Sequence, residues 1–582
     1  MILKKKTKIV CTIGPSSENE VVLKELIANG LNVCRLNFSH GSHPEHQAKI
    51  DLIKKVREET RQPIAILLDT KGPEIRTGKF DAEEILLEEG QTFTLTIEDI
   101  IGNKDISSIS YKGLIHDVKP GNTILIDDGL ISLEVQKVTD KDIVCLVKNS
   151  GIIKNNKGIN VPNVKINLPA ITQKDKEDII FGIENKIDFI AASFVRKASD
   201  VLAIREILEE YDAEHIQIIS KIENQEGVDN IDDILQVTDA IMIARGDLGV
   251  EIPTEDIPIV QKMIIKKCNL LSKPVITATQ MLDSMIRNPR PTRAEVTDVA
   301  NAIYDGTDAI MLSGETASGK YPVEALKTMS RIASKTETTL DYSKMTSERA
   351  KNRSVNITNA ISHATCTTAD DIGASAIITA TESGYTARMV SSYRPSQQII
   401  GVVNDEVVLR QMGIVWGIVP LNIERRVDST DELFDVSIDS AIKEELIRSG
   451  DVVVITAGVP LRQTGSTNLI KVHVVTEILA KGIGIGNHAL VGRARKDLSN
   501  FIDGDILIAK FTDRETVSYM ERASAIIVEE GGLTNHAAVV GLSLGKPVIV
   551  GAKNILETVK DGEDITIEPG KGYVYRGKVS VL

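Results

Sequence analysis

The sequence contains little cysteine and no long apolar stretch. Among its 582 residues there are five cysteines, an odd number, and no Cys-x-x-Cys pair. This pattern argues against a disulfide framework or a zinc site and indicates free thiols in a reducing compartment. No apolar run approaches the ~18 residues that span a bilayer, and the apolar segment after the basic N-terminus is too short for a secretory signal. We therefore expect a cytoplasmic protein with no membrane partner.

The sequence also has fewer basic than acidic residues. The chain has 68 lysines and arginines against 82 aspartates and glutamates, a formal net charge of −14 at pH 7. Nucleic acid and anionic membranes both require a broad basic surface, so neither is an expected partner. The sequence has no GxxxxGK[ST] loop, so nucleotide binding would not be of the P-loop type. Any phosphate chemistry must therefore use a local cluster of basic groups.

The sequence does contain a repeated unit, an apolar β-type run that ends in polar or glycine residues and is followed by an amphipathic helical stretch. The eight runs are TKIVCTIG from Thr7, NVCRLNFSH from Asn32, IAILLDT from Ile64, FIAASFV from Phe189, IQIISKIE from Ile216, AIMIARGDLG from Ala240, PVITATQML from Pro274 and AIMLSGET from Ala309. Continuous apolar strands separated by helices indicate a parallel sheet covered on both faces. Eight such units predict a (β/α)₈ TIM barrel in an α/β fold.

Changes in this rhythm predict the domain boundaries. The barrel is expected over residues 1–70 and 170–345. Between them, short alternating stretches with turn signals predict an inserted small β-barrel lid domain over residues 71–169. The rhythm resumes in an α/β regulatory domain over residues 346–474. A Gly-rich segment then predicts an extra C-terminal α/β domain of the swivelling type over residues 475–582.

Chemistry in a (β/α)₈ barrel gathers at the carboxyl ends of the strands, and there the runs carry their polar residues. These residues are Arg35, Asn37, Ser39, Asp69, Thr70, Arg76, Lys221, Glu223, Arg245, Asp247, Thr279, Ser313 and Glu315. The spacing of two places Lys221 and Glu223 on one face of a strand. Alone, this pair favours a solvated edge strand; beside the other strand ends, it indicates an ion pair within a site.

Two carboxylates from adjacent strands, Glu223 and Asp247, suit one divalent ion such as Mg²⁺. The alternative is a hydrogen-bonded structural pair. Lys221 and nearby arginines add the positive charge that phosphoryl transfer requires, because its transition state spreads negative charge over three oxygens. Gly246 allows close approach of the backbone to an anion. A serine nucleophile needs a histidine base beside it, and the only histidine in the sequence near a barrel strand end is His40. Ser313 is therefore not expected to act as a nucleophile.

Four hard oxygen donors on the second and third strands suit a second, less demanding cation. They are Asn37, Ser39, Asp69 and Thr70.

Seven long motifs in order resemble the pyruvate kinase family over roughly the first 475 residues. They are TKIVCTIGPSS, NVCRLNFSHG, LLDTKGPEIRTG, IISKIENQEGV, MIARGDLGVE, ATQMLDSM and RPTRAEVTDVANAIYDGTDAIMLSGETASGKYP. The tail is similar to the mobile phosphohistidine domain of enzymes that use phosphoenolpyruvate, an extension found on some bacterial pyruvate kinases.

The resemblance implies transfer of the phosphoryl group of phosphoenolpyruvate to ADP, giving ATP and pyruvate, as the last step of glycolysis. It implies Mg²⁺ or Mn²⁺, usually K⁺, and a homotetramer. Lys221 would stabilise the phosphoryl group in flight and the enolate, and Arg35 would contact the substrate phosphate. The backbone of Gly246 and Asp247, with the Thr279 hydroxyl, would fix the carboxylate. Thr279, with Ser313 and Glu315 behind it, would belong to the network that protonates the enolate.

The resemblance also implies the ligand sites. Glu223 and Asp247 would hold the divalent ion, and K⁺ would bind Asn37, Ser39, Asp69 and Thr70. Arg76 and Lys157 would bind nucleotide. In this family a glutamate at position 74 accompanies K⁺ dependence, whereas a lysine there replaces the charge of the cation. Because Glu74 stands at that position, the resemblance predicts a K⁺-dependent enzyme.

Two features outside the barrel are similar to regulatory or phosphoryl-carrying sites. The loop TATESGYTARMVSSYRP resembles an effector phosphate loop, whose ligands would be Thr381, Ser383, Gly384 and Thr386. Glu382 lies inside it and disfavours a bisphosphate, so a monophosphate effector, AMP or a sugar phosphate, is expected. His536 aligns with the phosphorylated histidine of the mobile domain, although Asn535 replaces the usual serine and the chain lacks an ATP-grasp partner.

Two other readings are open. A dikinase or phosphoenolpyruvate synthase would share the substrate, the barrel class and the mobile domain, but the order of parts here, with the barrel first and a lid after its third strand, disfavours it. A catalytically silent scaffold is disfavoured because Lys221, Glu223, Asp247 and Thr279 are all intact.

Overall fold

The structure, a computed structural model, describes residues 5–351, 353–423, 427, 429–460, 467–475 and 478–578. The chain forms two compact units. The first comprises Met1–Asp370, Ile377–Ser437 and Thr456–Ile470, and the second comprises Asp371–Ala376, Ile438–Ile455 and Lys471–Leu582. Within the described ranges, no helix is long and apolar enough to cross a membrane.

The first part of the barrel precedes the lid. Its elements are β1 (Lys8–Thr12), α1 (Glu20–Ala28), β2 (Val33–Asn37), α2 (His43–Thr60) and β3 (Ala65–Asp69).

The lid follows β3 directly. Its elements are β4 (Ile75–Arg76), β5 (Glu84–Leu87), β6 (Thr92–Thr96), β7 (Ile106–Ser108), α3 (Leu114–Asp117), β8 (Thr123–Ile126), β9 (Ile131–Val138), β10 (Asp142–Val147), β11 (Gly151–Lys154) and β12 (Gly158–Asn160).

The barrel then resumes and is completed. Its remaining elements are α4 (Gln173–Glu184), β13 (Phe189–Ala192), α5 (Ala198–Glu210), β14 (Gln217–Ile222), α6 (Gln225–Asp229), α7 (Ile231–Val237), β15 (Ala240–Ala244), α8 (Arg245–Glu251), α9 (Ile257–Leu270), β16 (Val275–Ala278), α10 (Arg293–Asp305), β17 (Ala309–Leu312), α11 (Gly314–Ala317) and α12 (Pro322–Glu337).

The eight apolar runs form the closed parallel barrel that the sequence predicts. Its strand order is β1-β17-β16-β15-β14-β13-β3-β2, and every neighbouring pair is parallel. The strands are largely apolar because both faces are covered: all five residues of β1, β3 and β15 are buried. Such strands bring their carboxyl ends to one mouth.

Local capping fixes where the barrel helices begin and end. At α10, the N–H of Glu295 donates to the Thr292 hydroxyl, and the N–H of Thr292 donates to the Glu295 carboxylate, which is a capping box. The helix ends at Gly306, whose φ of 97° is left-handed and suits glycine. The next strand, β17, starts three residues after Gly306. The loop between α10 and β17, at the amino end of the barrel, is therefore short.

The lid is an antiparallel-rich sheet in the order β4-β12-β8-β9-β10-β6-β7, with β5 and β11 paired separately. Thr77 and Ile109, which directly follow the two edge strands β4 and β7, form an isolated antiparallel bridge, and the N–H of Ser110 donates to Arg76 O at 2.9 Å. This pairing closes the lid into the small barrel expected after the third strand. Phe93, Leu95 and Leu133 are among the buried residues that fill it.

The α/β region begins after the barrel. Its elements are α13 (Tyr342–Lys351), α14 (Ile357–Asp371), β18 (Ala376–Ala380), α15 (Tyr385–Ser391), β19 (Gln398–Val403), α16 (Glu406–Gln411), β20 (Ile418–Asn422), α17 (Thr430–Lys443) and β21 (Val452–Ala457). β19 lies between β18 and the edge strand β20. β20 contains Pro420, and proline is tolerated there since the strand lies at an edge.

The second unit contains an eight-stranded sheet. Its remaining elements are β22 (Leu469–Val474), β23 (Ile478–Lys481), β24 (Ile483–Ile485), β25 (Leu490–Arg495), β26 (Ile506–Ala509), α18 (Val517–Arg522), β27 (Ala525–Val528), α19 (His536–Ser543), β28 (Val548–Val550), α20 (Ile555–Thr558), β29 (Asp564–Glu568) and β30 (Tyr573–Arg576). The order is β23-β30-β29-β25-β26-β27-β28-β24, with β25 to β28 parallel. This is an α/β domain, as predicted.

Candidate active site

Lys221 lies at the centre of the barrel mouth. Its Nζ is 3.1 Å from Asp69 Oδ1 and 2.9 Å from Glu223 Oε1, so the expected ion pair with Glu223 forms. All three residues are buried. Burial alone would lower the pKa of Lys221, but the two carboxylates outweigh it and raise that pKa above its ordinary value. Lys221 is therefore a fixed positive charge at the end of β14.

Arg35 approaches the same carboxylate from β2. Its Nε donates to Asp69 Oδ2 at 2.6 Å, and its Nη1 donates to Thr12 Oγ1 at 2.8 Å. Burial would raise the pKa of Asp69, but Arg35 and Lys221 hold it below its usual range. Asp69 thus bridges the side chains of Arg35 and Lys221, and the three together carry a net positive charge at the mouth.

The loop after β13 supplies two contacts that sequence reasoning missed. Ser193 Oγ accepts a hydrogen bond from Lys221 Nζ at 2.7 Å and donates one to Thr70 O at 2.6 Å. The N–H of Phe194 donates to Glu223 Oε2 at 2.6 Å, from a left-handed backbone with φ of 55°. Ser193 stands at the polar end of the run FIAASFV, which is the signal that could have found it. Such strained backbone is typical of functional sites.

Glu223 and Asp247 are close enough to interact: Glu223 directly follows β14, and Asp247 lies on α8, which directly follows the neighbouring strand β15. Burial and the negative charge of Asp247 raise the pKa of Glu223 to about 7, although the positive charge of Lys221 opposes this rise. Burial also raises the pKa of Asp247. Among the described residues, Glu223 Oε1 makes no hydrogen bond of good geometry, although it is near Lys221. A buried oxygen without a hydrogen bond, beside a second carboxylate, fits a divalent cation.

The protein alone does not complete a metal site. Across the described ranges, no group of three or more histidine, cysteine or carboxylate side chains is placed to hold an ion. Two carboxylates with further oxygens from water and substrate are how Mg²⁺ is commonly bound. The donor set therefore fits an ion that binds together with substrate.

Thr279 and Gly246 are in direct contact. The N–H of Gly246 donates to Thr279 Oγ1 at 2.7 Å, and that hydroxyl donates to Ala278 O at 2.7 Å. Thr279 has a φ of 65°, again left-handed. Asp247 is the third residue of α8 rather than a strand residue, so this helix start, and not the strand end itself, presents the Gly246 and Asp247 backbone.

Arg245 holds the strained turn after β16. Its Nη2 donates to Thr279 O at 2.8 Å, and its Nη1 and Nη2 each lie 2.7 Å from a different oxygen of Asp298. This bidentate pair explains how Thr279 keeps its backbone conformation.

Ser313 and Glu315 form a separate pair. The Glu315 carboxylate accepts the N–H groups of Leu282 at 3.0 Å and Ser313 at 2.7 Å, and burial raises its pKa. Among the described residues, Ser313 Oγ has no hydrogen-bond partner and neither side chain is hydrogen-bonded to Thr279. Of the three residues expected in one network, Ser313 and Glu315 are therefore in contact, and Thr279 is not hydrogen-bonded to either side chain.

The four oxygen donors expected for a second cation are adjacent. Asn37 and Asp69 are register partners on β2 and β3, and Thr70 follows Asp69 at the strand end. Asn37 Oδ1 accepts the N–H of Ser39 at 3.2 Å. The donors are all oxygens, which suits a hard monovalent cation.

A cleft of about 590 Å³ lies between the lid and the mouth. Arg76 and Lys157 line it on β4 and beside β12, which pair with each other. Arg76 Nη2 is 2.6 Å from Glu74 Oε2, and Lys157 Nζ is 2.9 Å from Asp127 Oδ1. Asp247 lines the same cleft. The two expected nucleotide ligands therefore lie together, facing the predicted metal position.

The expected effector loop begins the short helix α15. Gly384 caps it with a φ of 72°, and Ser383 O accepts a hydrogen bond from Arg388 Nη1 at 3.2 Å. The Thr386 hydroxyl is buried and hydrogen-bonded to that of Thr467 at 2.8 Å. Thr381 donates its N–H to Val402 O at 3.0 Å.

His536 is the first residue of α19 in the second unit. Its Nδ1 lies 2.8 Å from Thr512 Oγ1. Asn535 caps the helix, accepting the N–H of Ala538 at 2.8 Å, which is a role that serine also fills. The substitution of asparagine for serine therefore preserves the helix start.

The five cysteines are free and buried, as expected.

Comparison with known proteins gives the same assignment along the whole chain. Family models match for the pyruvate kinase barrel domain over residues 4–326, the pyruvate kinase alpha/beta domain over residues 359–473 and the PEP-utilising enzyme mobile domain over residues 501–572. A pyruvate kinase of Geobacillus stearothermophilus is 55% identical over 588 residues, with 100% of each chain covered. One of Bacillus licheniformis is 54% identical, with 99% of this chain and 100% of the relative covered.

A solved structure agrees. The crystal structure of a pyruvate kinase from Cryptosporidium parvum superposes with a TM-score of 0.78 at 42% identity, covering 81% of this chain and 96% of that chain. Full-length identity, the barrel and the charged mouth lead to one conclusion: the chain belongs to the pyruvate kinase family.

Proposed function

We propose that this chain transfers the phosphoryl group of phosphoenolpyruvate to ADP, giving ATP and pyruvate, in a reaction that depends on Mg²⁺ or Mn²⁺ and on K⁺. The observation that carries the proposal is Lys221, buried at the barrel mouth between Asp69 and Glu223. A fixed positive charge in a water-poor site stabilises a transferring phosphoryl group more strongly than it would in water.

The other residues of the mouth have distinct parts in this proposal. Arg35 binds the phosphate of the substrate, since its guanidinium is held by Asp69 and Thr12. Lys221 faces the phosphoryl group as it moves and then the enolate oxygen. Glu223 and Asp247 would hold the divalent ion, which supplies charge neutralisation when bound. These groups act by position and charge, because phosphoryl transfer needs little covalent help from the protein.

Binding of the carboxylate of the substrate is assigned to the Gly246 and Asp247 backbone and to Thr279. The present hydrogen bond from the Gly246 N–H to Thr279 Oγ1 implies that this N–H exchanges partners when the carboxylate arrives. Thr279, Ser313 and Glu315 are assigned to protonation of the enolate. Arg76 and Lys157 are assigned to the phosphates of ADP.

Two further features complete the proposal. K⁺ would bind Asn37, Ser39, Asp69 and Thr70. A monophosphate activator, AMP or a sugar phosphate, would bind the effector loop at Thr381, Ser383, Gly384 and Thr386. The exposed carboxylate of Glu382 disfavours a second phosphate. The assembly is proposed to be a homotetramer.

The proposal is tested by coupling pyruvate formation to lactate dehydrogenase, with phosphoenolpyruvate and ADP as substrates. We expect activity that requires a divalent cation and that falls strongly when Na⁺ replaces K⁺. Full activity in Na⁺ would contradict the K⁺ assignment. A Glu74→Lys variant is expected to retain activity in Na⁺, because its ammonium group replaces the charge of the monovalent cation.

A dikinase reaction has one specific observation in its favour, the helix start at His536. The same assay without ADP but with AMP and pyrophosphate separates the two readings, since a dikinase would form pyruvate under those conditions.

A further inference from the structure

The lid returns to the barrel through an extended segment, residues 166–169, that belongs to the lid by its packing. Asn167 donates its N–H to Asp117 Oδ2 at 3.2 Å and its Nδ2 to Asp117 Oδ1 at 2.9 Å. The side chains of Ile166 and Leu168 pack against the hydrophobic core of the lid. A movement of the lid must therefore carry this segment with it.

The carbonyl groups of the same segment are bound by a single barrel side chain. Arg196 donates Nη1 to Ile166 O at 2.9 Å, and it donates Nη2 to Leu168 O at 2.7 Å and to Pro169 O at 3.2 Å. The guanidinium presents its donors in a rigid planar fork, so three carbonyl groups are fixed in direction as well as in distance. The side chain of Arg196 is only 10% exposed, which strengthens these bonds relative to water.

Arg196 stands in the loop that also orients the charged pair of the mouth. Three residues earlier, Ser193 accepts a hydrogen bond from Lys221 Nζ, and Phe194 donates its N–H to Glu223 Oε2. The backbone of Arg196 is held on both sides: its N–H donates to Asp200 Oδ2 at 3.0 Å, and its carbonyl accepts from Asn230 Nδ2 at 2.9 Å. One rigid loop therefore contacts the lid at one end and the reacting charges at the other.

We propose that Arg196 is a positioning residue for phosphoryl transfer, whose guanidinium sets where the lid lies relative to the loop that orients Lys221 and Glu223. It touches no reacting group and acts through residues 166–169. On the lid, Arg76 and Lys157 line the cleft, so loss of this contact displaces them. The kinetic consequence rests on the proposed nucleotide role of those two residues, whereas the structural consequence does not.

The test compares Arg196→Met, which removes all three hydrogen bonds and the 3.6 Å ion pair with Asp200, with Arg196→Lys, which keeps the charge but loses the fork. Amide hydrogen exchange is measured by mass spectrometry in peptides that cover residues 161–170 and, as an internal reference, β15. In Arg196→Met we expect exchange over residues 161–170 to rise by about tenfold or more, with β15 unchanged. The KM for ADP should rise by about tenfold, while the KM for phosphoenolpyruvate changes by less than about twofold.

Arg196→Lys should recover part of both effects, because an ammonium group donates to carbonyls without fixing their direction. Lys197→Ala, which removes the neighbouring exposed cation, is the matched control and should behave as wild type. Unchanged exchange over residues 161–170 in Arg196→Met would overturn the proposal, as would faster exchange throughout the barrel with equal rises in both KM values. Faster exchange at 161–170 with an unchanged KM for ADP would support the positioning role and count against the nucleotide roles of Arg76 and Lys157.

Discussion

At the carboxyl end of the barrel strands, Lys221 lies between two buried carboxylates; at the amino end, Arg410 lies against a third, Asp188. Asp188 Oδ1 accepts a hydrogen bond from Arg410 Nε at 2.7 Å, and its Oδ2 accepts the N–H of Ile66 at 2.8 Å. Both oxygens of this carboxylate are satisfied by donors of the protein. At the mouth, by contrast, Glu223 Oε1 has no well-formed hydrogen bond among the described residues.

The amino end repeats its arrangement. Asp308 precedes β17 as Asp188 precedes β13; its Oδ2 accepts the N–H of Val275 at 3.1 Å, and its Oδ1 lies 2.9 Å from Arg394 Nη2. Each aspartate ties a strand to its neighbour and to an arginine of the α/β region. The buried carboxylates of Asp188 and Asp308 hold strands in place, whereas that of Glu223 at the mouth keeps one oxygen available for a ligand. The difference lies in hydrogen-bond satisfaction and not in residue type.

The largest expected effect separates the two ends by activity. Lys221→Met should lower kcat by about 10³-fold, because the transition state loses its fixed positive charge in a buried site. The lactate dehydrogenase-coupled assay measures it, and circular dichroism checks that the fold is retained. Lys176→Met, which removes a partly exposed lysine that pairs with Glu210 at 3.4 Å, is the control. Equal pyruvate production by Lys221→Met and wild type would end the assignment of Lys221.

At the amino end, the expected effect is on stability. Asp188→Asn should cost about 3 kcal/mol of unfolding free energy, because the buried guanidinium of Arg410 then keeps only the exposed carboxylate of Glu406, 3.7 Å away, as a counter-charge. The midpoint of thermal unfolding should fall, while kcat at 25 °C stays within about twofold of wild type, since Asp188 is remote from the reacting groups.

A double variant sharpens this prediction. Asp188→Asn with Arg410→Met should be less destabilising than the sum of the two single changes, because the pair is removed together. Strict additivity would show that the pair is not energetically coupled, and a large loss of kcat would show that the amino end does more than hold strands.

The incomplete satisfaction of Glu223 predicts a pH dependence of metal binding. Burial raises its pKa to about 7 from 4.5, so without metal the stability from this group is greatest below pH 4.5 and is lost as pH rises through about 7. A divalent ion requires the carboxylate and competes with the proton. The rise in unfolding temperature on adding Mn²⁺ should therefore be larger at pH 8 than at pH 6.

Glu223→Gln is the matched variant, since it keeps the shape but cannot titrate. We expect a smaller Mn²⁺ effect that varies less between pH 6 and 8 than in the wild type. An unchanged pH dependence in this variant would assign the effect to another group.

The smallest expected effect on stability concerns an ion pair on the lid, outside both ends of the barrel. Lys141 Nζ lies 2.5 Å from Glu98 Oε1 on the lid surface, with both side chains more than half exposed. Lys141→Ala should shift the unfolding midpoint by less than about 1 °C, because solvent and salt screen exposed pairs. A shift as large as that of Asp188→Asn would contradict the distinction between buried and exposed pairs.

Much of the fold follows from pattern. Continuous apolar runs such as AIMIA at β15 can be buried on both faces only in a covered parallel sheet, and eight of them close a barrel. The position of Lys221, Glu223 and Asp69 at strand ends then predicts their proximity. Contacts made by loop backbone were not predictable, because the Phe194 N–H and the left-handed turn at Thr279 carry no side-chain signature.

The barrel, the inserted lid and the residues that meet at the mouth follow from the amino-acid sequence, because hydrophobic periodicity and strand-end polarity are local properties. How completely each buried charge is hydrogen-bonded does not follow from these patterns. That depends on groups far apart in the chain, as when Arg410 reaches Asp188 or Arg196 reaches the carbonyl of Ile166. In low-dielectric surroundings, a hydrogen bond to a buried charge is strong and its absence is costly. A buried carboxylate therefore holds strands together at the amino end of the barrel and can bind a ligand at the carboxyl end.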